Sequence, residues 1–220
     1  MSRVAELGSE GGFVGNGTLL IRAPQLVVYS DGTAVLGAAK TFTMKPADLS
    51  ALLAALRPDL AGQPAVLKPP RTMPDASDTV LGVRQPDGTY QRVTANALSA
   101  IGRTGGYPAV VVDAYTQLLA LTQSPAANSA APFVSDHSRL VYFCPMTQAD
   151  PPKPWPAGLP QPTNSTNSSS CAESHIVSGS AVATATAACQ LATSGLPSVP
   201  YQSDKGIRTC QWRPALPDES

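Results

Sequence analysis

The sequence is poor in charge. Only 14% of its 220 residues are charged, and fifteen basic residues balance fifteen acidic ones. A nucleic-acid or anionic-membrane footprint needs clustered Lys and Arg, whereas Arg57, Lys68 and Arg71 are scattered. Nucleic-acid binding is therefore not expected. No apolar run approaches the roughly 20 residues that span a bilayer. Residues 1–12 also lack the basic start and apolar stretch of a secretory signal. Two expectations remain: a cytosolic chain, or one that a signal or lipidation segment precedes.

Catalytic and cofactor signatures are equally scarce. There is no Gly-x-Ser-x-Gly elbow, His-Glu-x-x-His pair, P-loop or calcium loop. The only histidines are His137, in a Ser/Asp/Arg turn, and His175, beside Glu173. An exposed loop histidine is the simpler reading of the first, and a surface or capping histidine of the second. Asp48, Asp59 and Asp113 are separated by whole predicted elements, with Asp113 expected to face solvent. Tyr29, Tyr90, Tyr107, Tyr115 and Tyr142 fall at strand or helix positions, where packing is the first reading. Neither enzymatic activity nor a cofactor or metal is expected.

What the chain does have is proline (22), glycine (17) and four cysteines, all in the last third: Cys144, Cys171, Cys189 and Cys210. No two are spaced Cys-x-x-Cys, as a zinc site would want. Two disulfides fit better. Of three possible pairings, Cys144–Cys171 with Cys189–Cys210 is preferred, each closing a loop of a few tens of residues and contributing about 3–4 kcal/mol. Disulfides persist outside the cytosol, so an extracytoplasmic location is expected, with membrane association only through a removed lipid anchor or a partner.

Hairpin signals organise the chain. Residues 25–36, QLVVYSDGTAVL, flank Asp31-Gly32 with β-rich runs. A second hairpin is predicted at 79–94, turning at Pro86-Asp87-Gly88, and a weaker third at 201–212. Before the first, the glycine-rich run 11–17 is expected to follow a polar tail and open a strand over 18–22. This order differs from a dinucleotide fingerprint. A flexible turn or bulge is the simpler reading of this run; a protruding loop with Phe13 as its apolar tip is its functional reading.

The spacing of Leu49, Leu52, Leu53 and Leu56 predicts an amphipathic helix starting near Pro46, led in by Thr43 or Lys45, and ended by Pro58. A second helix follows Tyr107-Pro108 to about Thr122, with Val111, Tyr115, Leu118 and Leu119 on one side. Residues 62–77 read as an extended loop and 124–132 as a linker. A strand is read from Phe133 or Arg139 to Phe143, RLVYF, ending at Cys144. PPKPWPAGLPQP and TNSTNSSS exclude regular structure between 145 and 170, with Trp155 either anchored on the domain or offered to a partner. Asn16, Asn164 and Asn167 each begin an N-x-Ser/Thr sequon, relevant only in a glycosylating host. Ser178 or Ser180 can cap an alanine-rich helix through Cys189, and residues 213–220 read as a proline-broken acidic tail.

The expected fold is α+β: an antiparallel or mixed sheet built from hairpins, with three helices mainly on one face and a disulfide-stapled C-terminal third. Residues 1–123 form a hairpin-helix-hairpin-helix core, a pseudo-repeat of 18–57 and 79–122. Residues 124–220 are expected to complete the same domain.

Glu10-Gly11-Gly12-Phe13-Val14-Gly15, followed by a strand and a helix carrying DLSALLAAL, resembles the start of emfourin-type proteins. These are small bacterial inhibitors of thermolysin-like metalloproteases, marked by Ser-Gly-Gly-Phe-Ala-Gly. The resemblance covers at most the first 122 residues, with Glu10 in place of Ser and Val14 in place of Ala. It implies inhibition through the glycine loop. LVYFCP, WPAGLP, SGSAV…AAC and WRPALPDE together resemble secreted or lipid-anchored actinobacterial proteins of unknown function, which implies only a location. The leading expectation is a non-catalytic protein-binding or envelope-accessory protein acting through loops and strand edges. Gly11, Gly12, Phe13 and Trp155 are its candidate contact residues and a protein its expected partner. A hydrolase with an unassigned site is the remaining alternative.

Overall fold

The computed structural model describes residues 1–13, 17–69, 73–144, 150–165, 171–192 and 199–219. In chain order its first elements are β1 (Arg3–Gly11), α1 (Thr18–Ile21), β2 (Leu26–Tyr29), β3 (Thr33–Leu36), β4 (Lys40–Thr43), α2 (Pro46–Leu60), β5 (Val66–Leu67), β6 (Ser77–Arg84) and β7 (Tyr90–Asn96). Then come α3 (Leu98–Ile101), α4 (Ala109–Thr122), α5 (Pro125–Asn128), β8 (Ala131–Pro132), β9 (His137–Phe143) and β10 (Lys153–Pro154). The last are β11 (Glu173–Ser178), α6 (Ser180–Ala188), β12 (Gln190–Leu191), β13 (Tyr201–Ser203) and β14 (Gly206–Pro214). The fold class is α+β, as the hairpin pattern predicts.

The chain divides into two compact units. One comprises Met1–Phe13 and Ala23–Phe133; the other comprises Val14–Arg22 and Val134–Ser220. The sequence places the boundary after residue 123 and expects one domain. The structure carries the first unit on through α5 and β8, because Ala131 and Pro132 pair with Thr41 and Lys40 of β4. Ser124 caps α5 through a hydrogen bond from the Ala127 N–H, so the expected linker is ordered.

The first unit is an eight-stranded sheet in the order β5-β7-β6-β1-β2-β3-β4-β8. Both strong hairpins form as predicted. Val27 pairs with Val35 and Leu81 with Val93. Both turns place glycine at positive φ, Gly32 at 87° and Gly88 at 90°, and the aspartate before each accepts the N–H of the following threonine. The apolar run Leu26–Tyr29 is buried throughout.

The two hairpin halves are joined by β1, in the stretch expected to be a polar tail. This correction has a definite cause. Glu6 is buried among strands, but its carboxylate takes hydrogen bonds from Arg3 (2.6 Å) and from the Tyr90 hydroxyl (3.1 Å). A buried charge is tolerated when it is paired in this way. Gly82 leaves the space the Tyr90 ring occupies, since a Cβ there would lie 2.4 Å from the Tyr90 hydroxyl.

Helices α2 and α4 pack together, and their apolar faces join one core cluster that includes Leu56, Leu60, Val111 and Leu118. Helix α2 does not stop at Pro58 but runs through it to Leu60. Proline in the last turn removes one hydrogen bond; burying Leu60 completely offsets part of that loss, roughly 1.5–3 kcal/mol. The predicted loop 62–77 also contains β5, paired in parallel with β7.

The second unit is a smaller sheet in the order β10-β13-β14-β9-β11, with β12 pairing beside β14. Both disulfides match the preferred pairing, Cys144–Cys171 and Cys189–Cys210. One sheet face carries Leu140, Tyr142, Val177 and Cys210 beneath the small residues of α6. The opposite face carries Val141 and Phe143, and there Ile21 of α1 is buried. Residues 18–22, predicted as a strand, are thus a one-turn helix that belongs to this sheet. Arg213 donates from Nε to the Ile21 carbonyl at 2.8 Å. The expected acidic tail folds back as well. Glu219 receives both terminal nitrogens of Arg213 at 2.7 Å and the Leu216 N–H at 2.8 Å, and Ala215 and Leu216 are buried.

Candidate protein-binding surface

The glycine-run residues 14–16, Asn16 included, lie outside the described residues. Of the rest, Gly11 and Gly12 adopt positive φ of 58° and 84°, conformations that suit glycine. The Phe13 N–H then donates to the Asp75 carbonyl at 3.1 Å. The backbone is held while the ring is 91% exposed.

Trp155 belongs to the other unit and is packed. Its ring makes T-shaped contacts with Tyr142 at 5.0 Å and Tyr201 at 6.4 Å, and its Nε1 donates to the Leu159 carbonyl. The proline-rich segment around it is a strap across the sheet face. Three side chains hold the strap by its backbone. The Tyr142 hydroxyl donates to the Pro160 carbonyl at 2.7 Å, Arg208 donates to the Asn164 carbonyl, and the Glu173 carboxylate accepts from the Thr163 N–H, the Thr163 hydroxyl and the Asn164 N–H. Asn164 is exposed beside these bonds, whereas Asn167 lies outside the described residues.

Two of the unit's buried charged residues, Glu173 and Arg208, lie at this strap site. Arg208 is fully buried, and among the described residues its Nε has no hydrogen-bond partner. Burial lowers its affinity for the proton, and the nearby Glu173 opposes that effect. Burial likewise resists ionisation of Glu173, but the Thr163 and Asn164 donors outweigh it and hold the carboxyl below its usual range. His175 Nε2 lies 3.3 Å from Glu173 Oε1 without hydrogen-bond alignment, and its ring stacks obliquely on Tyr142 at 5.0 Å. Burial pushes the Tyr142 hydroxyl up, with the Glu173 charge adding to it. Every carboxylate oxygen here is engaged in holding chain, which is the chemistry of a fastening.

The other titratable candidates do not join this cluster. His137 opens β9 beside exposed Asp136, at 2.8 Å. Asp59 and Asp113, which the sequence sets apart, come onto facing helices. Burial first, and then the Asp113 charge, raise the Asp59 carboxyl.

Strand β11 was missed by sequence reasoning, because ESHIVS alternates weakly and follows a Ser/Asn tract. It is an edge strand, paired with β9 along all six residues from Glu173↔Tyr142 to Ser178↔His137. Among the described residues no strand pairs with its outer side. Among the described residues the other edge strands are each two residues long: Val66–Leu67 between Pro64 and Pro69, Ala131–Pro132, Lys153–Pro154, and Gln190–Leu191 beside β14. Short strands and proline blunt an edge against pairing. Strand β11 contains neither proline nor lysine, and Ile176 at its centre is 38% exposed. Among the described residues no helix is long and apolar enough to cross a membrane. No protein-family model, curated protein or solved structure matches this chain.

Proposed function

We propose that this chain is a non-catalytic, extracytoplasmic protein-binding protein, an accessory of a larger envelope assembly, that takes an extended segment onto β11. The observation that supports this reading is the contrast, among the described residues, between edge strands only two residues long and one bare six-residue edge strand. Strand addition uses the main-chain groups of such an edge for affinity and its alternate side chains for selection. The two disulfides support the location, since such bonds persist in oxidising compartments.

The test is titration with a panel of extended, β-branched peptides followed by residue-resolved hydrogen exchange. Binding peptides are expected to slow exchange along β11, and Ile176→Lys is expected to weaken them about tenfold, within the range of a cross-strand pair made unfavourable. A panel that leaves β11 exchange unchanged would sink the reading.

A second reading, inhibition of a thermolysin-like metalloprotease, is favoured by Phe13 alone, an exposed aromatic on a backbone held by Gly11, Gly12 and Asp75. Here inhibition of such a protease is expected to vanish in Phe13→Ala while folding is kept. Inhibition that survives the substitution counts against this loop.

A further inference from the structure

Resting on the strand-edge reading, we infer that the segment received by β11 is β11 of a second copy of this chain, paired antiparallel about a twofold axis through Ile176. Three features of the second unit lead there. First, the strand offers no exposed charge by which a foreign segment could be chosen. Its carboxylate, Glu173, is buried and bonded to the strap, and the remaining residues are Ser174, His175, Ile176, Val177 and Ser178.

Second, the strand is complementary to itself. Pairing about Ile176 sets Ile176 opposite Ile176, Ser174 opposite Ser178, and His175 opposite Val177. No like charges meet, two hydroxyl pairs can bond, and the exposed isoleucine is covered by its twin. Directly opposed side chains are the unit of sheet stabilisation, and an isologous contact needs this self-matching.

Third, the surroundings extend the apolar contact on one face. Ile176 pairs with Arg139, and Val141 with Ser174, so Ile176 shares the face of Val141 on which α1 packs. Helix α1 leaves Leu19 and Leu20 exposed at 47% and 40%. With the twofold axis perpendicular to the sheet, both copies keep α1, which also lies against β11, on the same face as the Ile176 pair. The result is a continuous sheet across two copies in which each bare edge closes the other.

The experiment is sedimentation of the full chain over a wide concentration range, with hydrogen exchange read at high and low concentration. The expected result is a dimer whose β11 amides gain protection as it forms. Ile176→Lys opposes two cations across the axis, and Ile176→Glu opposes two anions. Each variant is expected to weaken the dimer about tenfold or more, and an equimolar mixture of the two is expected to restore a 1:1 dimer because opposite charges then face one another. Ile176 lies across from Arg139 in its own sheet, so Ile176→Glu is the variant less disturbing to the fold and serves as its control. A dimer indifferent to both variants, or variants that weaken it without rescue in the mixture, overturns the inference. A chain that stays monomeric while β11 still takes up peptide overturns the self-pairing and leaves the strand-edge reading standing. A monomer whose β11 takes up nothing overturns both.

Discussion

Glu173→Ala is expected to lower the stability of the second unit by about 2–4 kcal/mol, on the scale of losing hydrogen bonds to a charged acceptor, about 1.5–3 kcal/mol each. Two losses combine. The Thr163 N–H and hydroxyl and the Asn164 N–H lose their acceptor, and the fully buried Arg208 loses the negative charge beside it. Glu173→Gln keeps the shape and one acceptor oxygen, so it is expected to cost less. The measurement is denaturant unfolding followed by the fluorescence of Trp155, on the strap, and Trp212, on β14 of the same unit. A change under about 0.5 kcal/mol, the ordinary surface range, would mean that Glu173 does not hold the strap.

The same carboxylate sets a pH dependence whose sign follows from its depressed affinity for protons in the folded chain. A group with a lowered folded pKa contributes stability that is fully present above its unfolded value, about 4.3 for glutamate. That contribution is lost as pH falls through the folded value. Glu219 behaves in the same direction: burial opposes its charge, but Arg213 and the Leu216 N–H outweigh burial. The stability gap between the native chain and Glu173→Gln is therefore expected to be constant near neutrality and to close in acid. A gap that widens on acidification would contradict the assigned role.

Gly17→Val is expected to cost about 2–5 kcal/mol, with the damage confined to the second unit. Gly17 has φ 88°, and a Cβ there would lie 2.7 Å from the Phe143 ring and 2.8 Å from the Ala172 methyl. A β-branched residue would carry both left-handed backbone strain and overpacking. The clash lies where α1 delivers Ile21 to Val141 and Phe143 and where Arg213 reaches the Ile21 carbonyl. Hydrogen exchange should show lost protection in β9 and β14 and retained protection in β6 and β7. Gly88→Val is the control, because Gly88 has φ 90° with nothing within 4 Å of the added Cβ. It isolates the backbone term alone. Equal costs at the two positions would mean that Gly17 is not held against the second sheet.

Much of this architecture was legible because it is local. An Asp-Gly turn between β-rich runs needs only a few residues to specify it, and the leucine spacing of α2 needs only one helix face. The cysteine pairing also followed from order along the chain, since each bridge spans one excursion, with separations of 27 and 21 residues. The failures share another cause. Strand β1 reads as polar because Glu6 is made acceptable by Tyr90, 84 residues away. Residues 18–22 read as a strand because nothing near them reveals that Ile21 is buried against β9. Pro58 reads as a stop because the burial of Leu60 beyond it is tertiary.

The candidate surface divides along the same line. Sequence alone identified the disulfides, the hairpins and the α+β class, all consequences of backbone preference and short-range pattern. It could only pose the alternatives for Trp155. Tertiary structure decided that this ring packs on Tyr142 and Tyr201 and that Glu173 and Arg208 fasten its segment. It also decided that β11 exists and stands at a bare edge. A strand becomes an edge only when the rest of its sheet is in place, and a buried charge becomes tolerable only when distant donors surround it. Neither condition is carried by neighbouring residues.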